Sequence, residues 1–236
     1  FIAQMGLWRN WDVNKLEKII PYSDIFGFPL SKVIILIILA VVLVVIIPLN
    51  LLPYAFKGEK LKGLPWLYFF SIGMAFMIVE IILIQKYSLF IGPSVYSIAT
   101  VLLTLLLASG IGSRFSARFS ARTIFAVILL WLLAEIFVFG AVTNALSSLS
   151  LLPRMLVSAA LLFPLGFFMG MPFPKAALRV GELVDWGFAV NGAASVLGST
   201  AIMLVAFSWG FQAALLIGAG LYGLAGLFFS RHKAWD

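Results

Sequence analysis

The chain has 236 residues, of which 63% are hydrophobic and 11% are charged, and its formal net charge is +7. Soluble domains have about 45–50% apolar and about 25% charged residues, so this composition excludes a soluble fold. The chain contains no cysteine, which excludes disulfides, thiolate metal sites and cysteine nucleophiles. We therefore predict an all-α fold, a polytopic transmembrane helix bundle in the lipid bilayer.

Residues 1–32 are the least hydrophobic part of the chain and carry Trp8 and Trp11 among charged residues. Tryptophan is typical of the membrane–water interface. We interpret 1–32 as an interfacial segment or the end of an upstream soluble domain, and 33–236 as the transmembrane domain. Because no initiator Met or signal pattern precedes Phe1, we expect the chain to be a piece of a longer protein.

Apolar runs of bilayer length recur along the rest of the chain and predict about seven spans, or six if the first is peripheral to the bundle. The first is apolar all round, so we expect it to face lipid, with Pro48 near its end as a possible kink. The predicted spans are 33–52, 66–86, 95–111, 123–142, 152–171, 188–209 and 211–229.

The basic residues lie mostly in the segments between spans, where they orient helices and meet anionic headgroups, so nucleic acid is not an expected partner. The positive-inside rule places the N-terminus outside and the C-terminus in the cytoplasm, because the segments after odd-numbered spans are richer in Lys and Arg. Those segments hold Lys57, Lys60, Lys62, Arg114, Arg118, Arg122, Lys175, Arg179, Arg231 and Lys233, against Lys86, Arg154, Arg9, Lys15, Lys18 and Lys32 on the other side. The single histidine, His232, is interpreted as a solvated tail residue.

Two carboxylates fall inside predicted spans, Glu80 in the second and Glu135 in the fourth. Ionisable groups at membrane depth are costly and are functional candidates by default. With no basic residue expected deep in any span, the two acids favour a cationic ligand or a proton. The alternative, a buried structural acceptor, stays open for both. Tyr87 and Asn191 complete the candidate substrate-binding set.

Small and polar residues recur at helical spacing on several spans and predict close helix packing. For the Asn191, Ser195 and Ser199 stripe we favour packing over a ligand surface. The residues assigned to packing are Gly73, Ser97, Thr100, Thr104, Ser195, Gly198, Ser199 and Gly223.

Pro172 and Pro174 end the fifth span. They predict either a plain helix stop or a hinge beside a cavity, as in transporters with discontinuous helices. The chain has no Ser-His-Asp set, metal-ligand cluster or dinucleotide fingerprint, and the glycines at 110–113 lack the features of a phosphate loop. We therefore predict no catalytic residue, no metal and no cofactor here, and whether the whole protein is an enzyme stays open.

Several motifs resemble, in the same order, the membrane region of bacterial spermidine-synthase-like integral membrane proteins. The first is GMAFMIVEIILIQ at 73–85, followed by LFIGPSVYSIATVLLTLLLASGIGSR at 89–114. The later ones are 164–174, 186–199, Gly210-Phe211 and Tyr222 in the last helix. The resemblance covers about residues 65–228.

The resemblance implies that this chain is the C-terminal membrane block of such a protein in the bacterial inner membrane, with the aminopropyltransferase site in an upstream domain. Beside that domain, two intramembrane acids favour binding or passage of a polyamine. A structural or assembly subunit without a substrate site is the alternative. The resemblance also places the upstream domain in the cytoplasm, which conflicts with the N-terminal side that the loop charges predict.

Overall fold

A computed structural model of the chain describes residues 24–25, 28–56 and 59–231. Most of the predicted interfacial segment 1–32 lies outside these residues, as do Lys57, His232 and Lys233. Two short strands, β1 (Asp24–Ile25) and β2 (Phe28–Pro29), pair antiparallel. The remainder of the described chain is helical apart from short turns, which confirms the predicted helix bundle.

The helices follow one another with short connections, and two of them are joined by a π-helical turn at Val42–Ile46. Single 3₁₀ turns lie at Ser116–Arg118 and Gly181–Leu183. The α-helices are α1 (Leu30–Val41), α2 (Ile47–Ala55), α3 (Gly63–Ile91), α4 (Val95–Phe115), α5 (Ala121–Phe137), α6 (Phe139–Ala145), α7 (Leu151–Met169), α8 (Pro172–Val180) and α9 (Val184–Ser230).

Length and composition support fewer membrane-crossing helices than the seven predicted. In the described chain, three helical stretches are long and apolar enough to cross a bilayer: Gly63–Ile91, Val95–Arg118 and Leu151–Ser230. A fourth is added if α5 and α6, bent by 53° at their junction, count as one span. The count falls because the last three predicted spans join into one helical stretch and because the apolar helix Val33–Leu49 is shorter.

Helix α9 turns back on itself at Gly210. This residue has φ 82° and ψ 173°, which is a conformation that glycine adopts without steric cost. Both ends of α9 lie at the same level of α3, because a Cβ on Gly187 would lie 2.8 Å from Phe69 Cζ while the Phe229 ring lies 5.5 Å from the Tyr68 ring. The arms 184–209 and 211–230 therefore form a hairpin packed on α3.

Helix α3 is the centre of the bundle. Its buried side chains include Tyr68, Phe69, Ile82, Leu83 and Tyr87, each with no exposed surface. It packs most extensively against α9, and also against α4 and α7. Since lipid tails are as apolar as these side chains, the helices are held by close packing and by polar contacts rather than by hydrophobic burial alone.

The first apolar helix lies at the edge of the bundle and contacts it through α9. Val42 is buried there, whereas Val44 and Leu49 are exposed. Pro48 has no N–H to donate, and the preceding turn widens so that the Ile47 N–H bonds to the Val42 carbonyl, five residues back. The exposed apolar surface of this helix is compatible with the predicted lipid-facing position, and the helix widens just before Pro48.

Helix α8 lies across one end of the bundle. Lys175 Nζ donates to the carbonyls of Ser116 at 3.0 Å and Phe119 at 2.6 Å, and Arg179 donates to the Phe229 carbonyl at 2.9 Å. Tyr68 donates to the Pro172 carbonyl at 2.9 Å. We call this end the basic end; its described basic residues are Lys60, Lys62, Arg114, Arg118, Arg122, Lys175, Arg179 and Arg231. The opposite end, with Lys86 and Arg154, is called the Lys86 end.

We predict that Gly73→Ala destabilises the bundle and Gly223→Ala does not. A Cβ at Gly73 would lie 3.0 Å from the Asn191 Cα and 2.9 Å from its Nδ2, so α9 must shift away from α3. Overpacking of this kind costs about 1–3 kcal/mol. No atom of the described chain lies within 4 Å of a Cβ at Gly223. Thermal unfolding in detergent measures both, and equal melting temperatures would contradict the contact.

Candidate functional site

The two predicted intramembrane carboxylates are both buried, Glu80 in α3 and Glu135 in α5, but their surroundings differ. Glu135 has charged and hydrogen-bonding partners from α3. Glu80 has no hydrogen-bond or ion-pair partner among the described residues, and it lies beside α9 within electrostatic range of the Tyr222 hydroxyl. The two acids therefore do not form one site.

Glu135 is held by two consecutive residues of α3. Tyr87 donates its hydroxyl hydrogen to Glu135 Oε1 at 2.7 Å. Lys86 Nζ lies 3.6 Å from Glu135 Oε2 and donates to the Glu135 backbone carbonyl. The structure thus brings together Tyr87 and Glu135, two of the four predicted substrate-binding residues, and adds Lys86, which the sequence analysis had placed at the end of the second span.

The second span, predicted to end at Lys86, extends further in the structure. Helix α3 continues to Ile91, so Lys86 lies inside the helix rather than at its end, and its side chain is only 12% exposed. The apolar residues Leu89, Phe90 and Ile91, which precede the Gly92-Pro93 turn, were the signal that the helix extends past Lys86.

The bend between α5 and α6 explains why Lys86 bonds a backbone carbonyl. Glu135 lies in the last turn of α5, where carbonyls lose their intrahelical partners. Phe139, the first residue of α6, lies with its ring 4.2 Å from Lys86 Nζ and 4.7 Å from the Tyr87 ring. The break thus places a carbonyl, a carboxylate and an aromatic face around one ammonium group.

A small polar cavity of about 80 Å³ lies between α3, the start of α8 and both arms of α9. We call it the inner cavity. Its buried polar atoms include the Tyr222 hydroxyl and Asn191 Oδ1, neither of which has a hydrogen-bond partner in the described chain. Its walls are Ile72, Phe76, Met169, Pro172, Phe173, Asn191, Ser195 and Tyr222.

A larger groove of about 510 Å³ adjoins the inner cavity and opens to the outside of the bundle. We call it the outer groove. The two spaces share Phe76, Met169, Phe173 and Asn191 as lining residues. Phe188 and Pro174 line the groove only, and polar surface comes from Ser109 and Ser113. Asn191 is therefore the polar residue that faces both spaces.

The predicted hinge prolines lie on the border of these two spaces. Helix α7 ends at Met169 and α8 begins at Pro172, so the chain breaks at 170–171. Pro172 lines the inner cavity and Pro174 the outer groove. The break therefore lies beside a cavity, as expected if the two prolines form a hinge and do not simply end the helix. The hinge role itself stays a prediction.

Three of the predicted packing residues lie where α3 meets α9. Ser195 donates its hydroxyl hydrogen to the Gly73 carbonyl at 3.2 Å or to the Asn191 carbonyl at 2.8 Å. A Cβ on Gly198 would lie 2.9 Å from the Met74 carbonyl oxygen. Glycine and serine thus let the two backbones approach closely.

The other predicted packing residues behave differently. Ser97 lies 3.1 Å from Ser88 across the turn between α3 and α4. Three hydroxyl groups donate hydrogen bonds to backbone carbonyls of their own helices: Thr100 to Tyr96, Thr104 to Thr100 and Ser199 to Val196. Gly223 faces open space, and close contact in that arm comes instead from Gly218 against Val79 and Gly226 against Phe125.

Within the described part of the chain, no three His, Asp or Glu residues are placed to hold a metal ion. Comparison of the chain with protein-family models, with curated proteins and with solved structures gave no match. The resemblance to spermidine-synthase-like membrane proteins therefore stays a prediction carried by the motifs.

We predict that Tyr87→Phe destabilises the protein by about 1–3 kcal/mol, because it leaves the buried Glu135 Oε1 without its hydrogen-bond donor. Tyr96→Phe is the matched control, since Tyr96 lies on α4 with 62% of its surface exposed. Thermal unfolding in detergent compares the two. Equal losses from both substitutions would show that the bond to Glu135 contributes nothing specific.

Proposed function

We propose that this chain is the membrane-embedded module of a spermidine-synthase-like protein of the bacterial inner membrane, and that it binds a cationic amine. The observation that carries the proposal is a buried, acceptor-rich site without a basic partner. It consists of Glu80, Asn191 and Tyr222, at and beside the inner cavity.

The chemistry of the site matches an ammonium donor. An ammonium group offers three N–H donors and no acceptor. Asn191 Oδ1 and the Tyr222 hydroxyl oxygen are buried without partners, and such atoms lose the free energy of their hydration unless a donor reaches them. No described cation contacts the buried Glu80 carboxyl, and a bound ammonium would stabilise its ionised form. In the proposal a bound amine donates to Asn191 Oδ1 and to the Tyr222 hydroxyl oxygen, and its positive charge is attracted to the Glu80 carboxyl beside the cavity.

The outer groove is a path to the inner cavity that suits an aliphatic amine. Its aromatic residues Phe76, Phe173 and Phe188 present ring surfaces near Asn191, and a cation is attracted to the face of an aromatic ring. A volume of about 510 Å³ accommodates an extended aliphatic chain behind the ammonium group. In the proposal the amine enters along this groove, with its leading ammonium at Asn191.

The proposal includes a topology in which the bundle crosses the membrane six times and the shorter apolar helix at 33–49 lies peripheral to it, so that the upstream domain stays on the cytoplasmic side. The hairpin at Gly210 supports two separate crossings in α9, and the α5–α6 pair forms one broken crossing. Since the basic end carries most of the described Lys and Arg residues, it faces the cytoplasm.

Single cysteines test this topology, because the native chain has none. Ser148→Cys and Ser208→Cys both lie at the Lys86 end and are exposed, whereas Ala117→Cys is exposed at the basic end. We predict that an impermeant maleimide applied outside intact cells labels positions 148 and 208 but not 117. Protection of position 208 in cells, with labelling only after permeabilisation, would refute two crossings in α9.

We predict that Glu80→Gln weakens spermidine binding to the full chain in nanodiscs by roughly tenfold or more, because loss of a contact to a buried charge costs at least 1.4 kcal/mol. Tyr222→Phe is expected to weaken binding less. Ser199→Ala is the control, since its hydroxyl bonds within its own helix. Calorimetry gives the dissociation constants, and equal values for the wild type and Glu80→Gln would refute the site.

One observation favours the alternative, a structural or assembly subunit. Glu135, the second predicted acid, already has Lys86 and Tyr87 as partners from the same chain, and this arrangement accounts for its burial without a ligand. If spermidine binding is absent from the wild type as well, the assembly role is the one that the contacts support.

A further inference from the structure

The Lys86 ammonium group occupies surroundings that would recognise any primary alkylammonium. It donates to the Glu135 carbonyl, lies 3.6 Å from Glu135 Oε2, and lies 4.2 Å from the Phe139 ring centre. A carbonyl, a carboxylate and an aromatic face are the groups that bind ammonium ions in proteins. We call these three groups the ammonium box.

The box is incompletely satisfied by Lys86. Glu135 Oε1 accepts the Tyr87 hydroxyl hydrogen at 2.7 Å, but Oε2 is buried and has no hydrogen bond from the described chain. A separation of 3.6 Å is longer than a hydrogen bond to nitrogen. In this position the Lys86 ammonium donates to the Glu135 backbone carbonyl, and Oε2 keeps an acceptor position that a second ammonium group can use.

A cavity of about 320 Å³ lies beside the box and contains room for a second occupant. Lys86 and Phe139 form one wall, and Thr143 and Asn144 of α6 contribute polar surface. Arg154 is the other charged residue lining it. Its guanidinium donates to the carbonyls of Phe90 at 3.0 Å and Leu149 at 2.8 Å, and to that of Ser147, so it is engaged outside the box.

We infer that the ammonium box is a binding site for a primary alkylammonium ion, which the chain fills with its own Lys86. A free amine at the Lys86 end competes with this side chain for Glu135, and the displaced Lys86 moves into the cavity beside Thr143 and Asn144. This site is separate from the inner cavity, and the inference does not require an amine to bind there.

Shortening the Lys86 side chain tests the inference. Lys86→Ala removes three carbons and the nitrogen, which are the heavy atoms of n-propylammonium. We expect n-propylammonium chloride to raise the melting temperature of the purified Lys86→Ala chain saturably at millimolar concentration. The wild type is expected to respond much less, because Lys86 already fills the box. Sodium chloride at the same ionic strength, and n-propanol, are expected to have no such effect.

Glu135→Gln in the Lys86→Ala background is the second variant, and it should abolish the response to n-propylammonium, because the box loses its charge. An equal response in the wild type, or a response that survives Glu135→Gln, would overturn the inference. If the Lys86→Ala protein unfolds during extraction, we expect extraction in the presence of n-propylammonium to yield a folded, monodisperse protein. Failure to recover such a protein would also overturn the proposed alkylammonium site. Spermidine binding that depends on Glu80 is a separate result, so the two sites fail independently.

Discussion

Backbone carbonyls at the ends and breaks of helices are the constraint on which this bundle depends. Inside a membrane no bulk water satisfies them, and each unpaired group costs several kcal/mol. Four basic side chains donate to such carbonyls: Lys86 beside the α5–α6 bend, Arg154 beside the α3–α4 turn, and Lys175 and Arg179 across the basic end. Positive charge also suits the C-terminal end of a helix dipole. These basic residues thus hold helix ends together.

The same constraint separates the two carboxylates. Glu135 lies where a helix breaks, and it shares the lysine that satisfies its own carbonyl. Glu80 lies in the middle of the unbroken helix α3, where the neighbouring backbone carbonyls have hydrogen-bond partners within the helix. No carbonyl there requires a basic side chain as a donor, and no described cation contacts Glu80. One acid therefore completes a contact between helices. The other has no charged partner among the described residues.

Periodicity and composition predicted the helical elements and several of their contacts. The start of α4 at Val95, the edge position of the first apolar helix, and the close approach at Gly73 all follow from local patterns of apolar and small residues. The partners of Glu135 could not be predicted, because Lys86 is 49 residues away in the chain and periodicity carries no information on which helices meet. The unpaired Tyr222 hydroxyl escaped prediction for the same reason, since its position depends on the turn at Gly210.

The hairpin of α9 has a consequence for how the protein is made. Helix α3 is synthesised before α9, and the two arms of α9 that cover most of it are the last helices of the described chain to be synthesised. Until they arrive, the face of α3 that carries Glu80 and Gly73 has no partner within the bundle. A carboxylate at that depth is poorly tolerated by lipid. The packing of α3 is therefore completed only when translation has passed Gly210 and the hairpin can close over it.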